Sequence, residues 1–200
     1  MTKIILRDRN EDLVKEWNKA FTGTDITAEC ADIFADPMTD AVVSPANSFG
    51  FMNGGIDGVY ARRWPDIQDR VQKAIRTHFA GELPVGCAVE VLIGSPNQND
   101  YKWLIAAPTM RIPCDVSETI NAYLAFRAVL ISSMKFASVT CPGLGTAIGQ
   151  MPYHACAKQM RHAYDSFKTF NDGKFDNDIA ETFDRIHKQR KRYDYPQSKA

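Results

Sequence analysis

Short apolar runs alternate with longer amphipathic stretches along this chain, and this alternation limits the possible folds more than any other feature of the sequence. The apolar runs predict strands at 3–6, 26–30, 41–43, 88–93, 102–107 and 137–141. The longer stretches predict helices at 10–21, 55–63, 65–79, 115–134 and 152–170. Strands that alternate with helices are typical of an α/β fold.

Local signals mark the ends of several predicted elements. Asn10 is a candidate N-cap for the first helix, and Pro65 suits the first turn of the third. Asp115 is predicted to open the fourth helix, because Asp115 and Glu118 have a spacing like that of a capping box. Residues 97–100 predict a turn, so the strands around it form a candidate hairpin. The fourth helix is expected to bury an apolar stripe: Val116, Ile120, Leu124, Ala128 and Ile131.

Charge and length narrow the function classes. The 200 residues carry 24 Lys and Arg against 24 Asp and Glu, so the formal net charge is zero. A neutral protein has no general attraction for nucleic acid or anionic membranes, so an anionic ligand has to be held by local groups such as backbone N–H donors. The length fits one domain, placed at 1–172, followed by a charged helical extension or tail at 173–200.

The sequence shows no targeting or membrane signal. Its first apolar run spans only 4–6, too short for a secretory signal, and no stretch approaches the roughly 20 apolar residues that cross a bilayer. The five cysteines form no CxxC pair and no zinc-like spacing with the histidines. We therefore expect a cytoplasmic protein with reduced, mostly buried thiols and no metal site.

Two loops rich in small residues, 44–58 and 142–149, each follow a short apolar strand. In an open α/β sheet, ligands bind at the carboxyl ends of the strands. Glycine allows close backbone approach, and free N–H groups at a helix N-terminus attract phosphate. Two such loops predict a clamp for a diphosphate, although each could also be a plain strand–helix turn. No Lys follows the glycines as in a Walker A loop, and the GxGxxxG pattern at 143–149 is one residue longer than the Rossmann pattern.

The amino-acid sequences of these loops resemble those of the macro domain, the ADP-ribose-binding α/β module. The segments SPAN at 44–47 and NGGIDG at 53–58 follow the order of the family's first loop, and ADI at 31–33 is similar to its Gly-Asp-Ile. The loop PGLGTAIG at 142–149 corresponds in position to the family's second phosphate-binding loop, and its sequence is similar to that of phage and bacterial members. The resemblance spans about 26–165 and implies a three-layer α/β/α fold with a mixed sheet.

The resemblance also implies roles for single residues. Asp32 would accept a hydrogen bond from the adenine amino group, with the Ile33 backbone nearby. Asn47 would bind the distal ribose, and Asp57 would orient or activate a water near its anomeric carbon. ADP-ribose or an ADP-ribosylated substrate is the implied ligand, without a further cofactor. The other implied ligand contacts are Ala46, Gly54, Gly55, Ile56, Pro142, Gly143, Leu144, Gly145, Thr146, Ala147 and Ile148.

Each implied role has a structural alternative. Asp32 could cap a helix at 33–36, Asn47 could staple its own loop, and Asp57 could complement a helix N-terminus. Two departures from the family pattern concern the ribose pocket: Ser44 stands where Asn is usual, and Ile148 where many relatives have an aromatic residue. Phe49 and Phe51 could supply the missing wall or pack in the core or as a lid. Cys141 has no evident His or Asn partner and is not expected to be a nucleophile.

Three functions follow from these observations. The first is hydrolysis of ADP-ribose linkages in an ADP-ribosylated acidic side chain, O-acetyl-ADP-ribose or ADP-ribose 1''-phosphate, for which Asn47 and Asp57 have the family spacing. The second is binding of ADP-ribose without catalysis, which the departures at Ser44 and Ile148 favour. The third is a structural or phage-assembly module without a ligand, supported only by the charged tail.

Overall fold

All eleven predicted elements are present in the structure, a computed structural model that describes residues 2–95, 97 and 99–171. The predicted extension at 173–200 lies outside the described residues. The elements in chain order are β1 (Lys3–Asp8), α1 (Glu11–Ala20), β2 (Thr27–Cys30), β3 (Ala41–Ser44), α2 (Gly55–Arg63), α3 (Ile67–Phe79), β4 (Val89–Leu92), β5 (Trp103–Ala106), α4 (Asn121–Ser133), β6 (Ser138–Cys141) and α5 (Tyr153–Asn171).

The strands form one mixed sheet in the order β2-β1-β6-β3-β5-β4. Every neighbouring pair is parallel except β4 and β5, which are antiparallel, so the predicted hairpin partners are confirmed. The turn between them includes a hydrogen bond from the Asp100 N–H to the Asn97 carbonyl. Because the other five strands run the same way, their carboxyl ends meet at one edge of the sheet.

Helices cover both faces of the sheet, which confirms the three-layer α/β/α prediction. On one face, α1, α4 and α5 pack over a core that includes Trp17 and Phe126, both fully buried. On the other face, α2 and α3 enclose a second core around Tyr60. Side chains alternate along β3, where Val42 belongs to the second core and Val43 to the first, as the period of a strand requires.

The first helix begins as predicted, because the Asn10 side chain accepts a hydrogen bond from the N–H of Leu13 at 3.0 Å. The start of the fourth helix was predicted wrongly. Helix α4 begins at Asn121, and Asp115 instead accepts the N–H of Ser117 in a turn. The backbone of Val116 in that turn is bonded to the carbonyl of Gly149, so a tertiary contact holds this segment out of the helix.

Three smaller predictions also need correction. Pro65 lies in a turn before α3 rather than in its first turn. Ile120 and Ile131 of the expected apolar stripe are exposed, because α4 turns a different face, with Ala125 and Val129, into the core. Only two of the five cysteines are buried. Among the described helices, none has the length and apolar character needed to cross a bilayer.

Candidate nucleotide-binding site

A cavity of about 420 Å³ lies at the edge where the carboxyl ends of the parallel strands meet. Its walls come from the segments that follow β1, β2, β3, β5 and β6. Both small-residue loops line it, as do residues 31–33 after β2. This is the place where an open α/β sheet binds ligands, so the fold brings the two predicted loops to one site.

The first loop presents free N–H groups at the beginning of α2. Gly54 is the N-cap and has no side chain to occupy the first N–H groups of the helix. The N–H groups of Gly55, Ile56 and Asp57 precede the first internal bond, which runs from the Gly58 N–H to the Gly54 carbonyl at 3.0 Å. These groups lie at a helix end with partial positive charge, which favours an anion.

The second loop folds back on itself and leaves another row of N–H groups free. The Met151 N–H donates to the Gly145 carbonyl and the Gln150 N–H to the Ala147 carbonyl, both at 3.0 Å. Gly145 has a φ of +73°, and a Cβ on Gly149 would lie 2.6 Å from the Gly145 carbonyl oxygen. The glycines are therefore required for this tight fold. From Gly145 to Ile148, the backbone N–H groups have no acceptor among the described residues.

Ile148 closes the gap between the two loops. Its Cδ1 atom lies 3.8 Å from the position that a Cβ on Gly54 would occupy, while its side chain stays half exposed. Phe51 is also exposed and lines the cavity. Phe49 does not line it, because its ring packs under the guanidinium of Arg111, 5.3 Å from the ring centre. Of the two phenylalanines, Phe51 is thus the one placed to form a wall.

Asp57 stands at the end of the cavity beside β3. It is half-buried in the first turn of α2, and the hydroxyl of Ser44, fully buried at the end of β3, donates to its Oδ1 at 2.6 Å. Burial raises the pKa of Asp57 from 3.8 to about 7, and the Ser44 hydrogen bond offsets part of that rise. This carboxyl group can therefore take up or release a proton near neutral pH.

The side-chain amide of Asn47 is largely occupied by its own loop. Its Nδ2 donates to the Phe51 carbonyl at 2.8 Å, and its Oδ1 accepts the N–H groups of Phe49 at 3.1 Å and Phe51 at 3.3 Å. These bonds match the loop-stapling alternative. Asn47 also lines the cavity, and its second N–H has no acceptor among the described residues. Ligand binding by Asn47 remains a prediction.

Asp32 lines the cavity on the side of β2, and β1 and β6 separate β2 from β3 in the sheet. Its Oδ1 accepts the N–H of Phe34 at 2.8 Å, and its carbonyl accepts the N–H of Ala35 at 2.9 Å. These bonds form a turn, so the alternative role as the cap of a helix at 33–36 is wrong. Its Oδ2 forms an ion pair with Arg9, whose side chain is exposed. The adenine contact remains a prediction.

Two residues of β1 that the sequence analysis missed build the frame of the site. Arg7 is fully buried and binds Glu29 of β2 at 2.8 Å, and its guanidinium also donates to the carbonyls of Ile33, Ala35 and Pro37. It thereby ties the segment that carries Asp32 to the sheet. Asp8 does the same for the second loop, because its Oδ2 accepts the Gly143 N–H at 3.3 Å.

The cavity gathers nearly all predicted site residues, since every one except Leu144 lines it. The Leu144 side chain is fully buried in the core. Thr109, Met110 and Pro113 after β5 were missed, because no glycine-rich pattern marks them. Cys141 is fully buried, and burial raises the pKa of its thiol, which fits its exclusion as a nucleophile. Within the part of the chain that the structure describes, no group of His, Cys, Asp or Glu could hold a metal ion.

Comparison with known proteins decides the family. The family model described as Macro domain matches residues 43–160, which include both glycine loops and most of the cavity. The chain belongs to the macro domain family. An uncharacterized protein from Aquifex aeolicus is 36% identical to this macro domain over 125 residues, covering 60% of this chain and 70% of the relative.

Solved structures show the same fold. The macrodomain of Mycobacterium tuberculosis DarG is 24% identical with a TM-score of 0.56, covering 68% of this chain and 87% of the other. Thermosipho africanus DarTG in complex with ADP-ribose is 16% identical with a TM-score of 0.57, covering 78% of this chain and 48% of the other. A point mutant of the Oceanobacillus iheyensis macrodomain with ADPR is 21% identical with a TM-score of 0.54, covering 68% of this chain and 74% of the other.

Proposed function

We propose that this macro domain binds ADP-ribose in the cavity and hydrolyses ADP-ribose linkages with Asp57 as the general base. The observation that carries the proposal is that two loops with free backbone N–H groups line one cavity together with the carboxyl groups of Asp57 and Asp32. Peptide N–H groups bind a diphosphate without a cationic side chain. Binding by similar folds, in DarTG with ADP-ribose and the Oceanobacillus mutant with ADPR, supports the choice of ligand.

The ends of the cavity set the direction of the ligand. The diphosphate lies between α2 and the second loop, so the adenine ring and the distal ribose extend to opposite ends. Asp32 accepts hydrogen bonds and therefore suits the amino group of adenine better than the carbonyl group of guanine. In this proposal the distal ribose occupies the part of the cavity lined by Asp57, and Phe51 and Ile148 line the same cavity.

The hydrolytic step uses one water molecule. The Asp57 carboxylate accepts a proton from this water while the water oxygen bonds to the anomeric carbon, and the bond from that carbon to the leaving group breaks. A carboxylate leaving group needs no proton from the protein, so an ADP-ribosylated acidic side chain fits a site with one acid–base group. O-acetyl-ADP-ribose and ADP-ribose 1''-phosphate are the other candidate substrates. A base with a pKa of about 7 is suited to proton transfer near neutral pH.

Binding without catalysis is the second candidate function. It is favoured by the Asn47 amide, because three hydrogen bonds to its own loop leave it one N–H for a ligand. In this case the raised pKa of Asp57 serves binding, because a protonated carboxyl group does not repel the diphosphate.

Titration calorimetry with ADP-ribose and a turnover assay on a protein ADP-ribosylated on acidic residues test the two candidates. We expect ADP-ribose to bind the wild type, and Asp57→Ala to lose hydrolysis by at least about 100-fold, the scale of general base catalysis. Asp69→Ala, which removes an exposed carboxylate of α3 outside the cavity, is the matched control and should keep full activity.

The outcomes separate the candidates. Binding of ADP-ribose with no turnover of any of the three substrates selects the non-catalytic function. Full hydrolytic activity in Asp57→Ala excludes Asp57 as the base. If the wild type gives neither heat nor a thermal shift with ADP-ribose, the proposed ligand is wrong.

A further inference from the structure

The Asp32 end of the cavity carries a cation that the proposed binding and hydrolysis do not use. Arg9 follows β1 directly, its side chain is 79% exposed, and it forms an ion pair with Asp32. Both residues line the cavity. We propose that Arg9 is a specificity-determining residue, which donates a hydrogen bond to one of the two ring nitrogens, N1 or N7, beside the amino group of adenine. This inference rests on the proposed binding of ADP-ribose with its base at Asp32.

The backbone at Arg9 is fixed on both sides, so its side chain starts from a defined position. The Asp8 side chain accepts the Asn10 N–H at 2.9 Å. Asn10 caps α1 through the Leu13 N–H, and its amide donates to the Tyr153 hydroxyl at 2.9 Å. Because this backbone is already ordered, a contact through Arg9 has to order only the side chain and not the loop.

Arg9 is the accessible cation among the described residues that line the cavity. Arg7 also lines it, but its side chain is fully buried and its guanidinium is used by Glu29 and by backbone carbonyls. The ion pair between Arg9 and Asp32 is exposed, so it adds little to the stability of the fold. The guanidinium N–H groups of Arg9 that do not face Asp32 remain available to a bound base.

The pair is complementary to one edge of adenine. The 6-amino group donates hydrogen bonds and is flanked by two acceptors, N1 and N7. A carboxylate only accepts and a guanidinium only donates, so Asp32 fits the amino group and Arg9 fits a flanking nitrogen. Asp32 has room for this, because each carboxylate oxygen has two lone pairs and accepts from one described partner, the Phe34 N–H or Arg9.

Analogues of ADP-ribose in which carbon replaces N1 or N7 test the assignment by calorimetry on the full chain. We expect the wild type to bind one of the two analogues about five- to tenfold more weakly than ADP-ribose, since one hydrogen bond from a charged donor is lost. Arg9→Ala should bind ADP-ribose more weakly by a similar factor and should no longer distinguish that analogue. Arg76→Ala, which removes an exposed arginine of α3 outside the cavity, should keep the discrimination of the wild type.

The assignment and the proposed function fail in different ways. If the wild type binds both analogues as tightly as it binds ADP-ribose, Arg9 does not donate a hydrogen bond to N1 or N7 of the adenine. The same conclusion follows if Arg9→Ala keeps the full discrimination between ADP-ribose and the analogue. If the wild type does not bind ADP-ribose, the proposed ligand and the role of Arg9 both fall.

Discussion

Asp57 carries a proton over a pH range in which an exposed aspartate is ionised, because burial raises its pKa from 3.8 to about 7. The folded protein therefore holds more protons than the unfolded chain between these two values. Stability must fall as the pH rises through this window, since ionising a half-buried group costs the folded state free energy. The proposed base thus destabilises the fold at the pH where it would act.

Asp57→Asn should therefore stabilise the fold more at pH 8 than at pH 5. Asparagine cannot ionise, yet it can still accept the Ser44 hydrogen bond. Each pKa unit corresponds to about 1.4 kcal/mol, so we expect the stabilisation to grow by about 2–3 kcal/mol between the two pH values. Urea unfolding of both proteins at each pH measures the change. An equal difference at pH 5 and pH 8 would contradict the raised pKa.

Ser44→Ala removes the hydroxyl that donates a hydrogen bond to Asp57, and so tests the other member of this hydrogen-bonded pair. The serine hydroxyl donates to the ionised carboxylate and lowers the pKa of Asp57, so its loss should raise that pKa above 7. If Asp57 acts as a base, kcat/KM rises with pH, and this rise should move about half a pH unit or more upward in the variant. Ser48→Ala, which changes a buried serine of the same loop outside the cavity lining, is the control. A pH profile identical to that of the wild type would show that Ser44 does not tune the base.

At the scale of elements, periodicity and caps were sufficient to predict the number, type and order of the helices and strands. They failed at the start of α4, where Asp115 has a local capping signal but Val116 is bound to the second loop through Gly149. That contact joins Val116 to a residue far away along the chain. Local propensity cannot report it, because tertiary contacts routinely override weak local preferences.

The second loop depends on Gly149, and Gly149→Ala should damage both stability and binding. An added Cβ would lie 2.6 Å from the Gly145 carbonyl oxygen and 2.6 Å from Val116 Cγ2, so the loop has to move. We expect a loss of about 1–3 kcal/mol in stability and at least tenfold weaker ADP-ribose binding. Chemical unfolding and calorimetry measure the two effects.

Gly58→Ala gives the matched control for that variant. Its added Cβ would meet no atom closer than 3.5 Å, and the residue lies inside α2, where alanine is favoured over glycine by about 0.5–1 kcal/mol. The control should therefore be as stable as the wild type or more stable. Equal stabilities of the two variants would show that the fold of the second loop does not require a glycine at 149.

At the scale of the whole molecule, the strand order decides which segments form the site. The composition of the two glycine loops predicted more than half of the cavity wall, and the family resemblance added Asp32. Arg9 and Met110 were missed, because they follow β1 and β5 without any distinctive pattern. The order β2-β1-β6-β3-β5-β4 brings these strand ends beside the loops, and the sequence pattern does not determine that order.

Net charge leads to a prediction about salt. The chain carries equal numbers of acidic and basic residues, and among the described residues the charged groups on the cavity wall are Arg7, Asp8, Arg9, Asp32 and Asp57. Two cations against three carboxylates give no net attraction for a diphosphate, so we expect the backbone N–H groups to hold it. These dipoles act only at hydrogen-bond distance, well inside the screening length of about 10 Å at 0.1 M salt.

The dissociation constant for ADP-ribose should therefore change by less than about threefold between 0.05 and 0.5 M NaCl, since salt screens separated charges far more than contacting groups. Calorimetry across this range measures it. Arg9→Ala provides the comparison: its affinity should be lower at every salt concentration, while its salt dependence stays as weak as in the wild type. A tenfold loss of affinity with salt would mean that cationic side chains hold the diphosphate, and the two rows of N–H groups would then lose their proposed role.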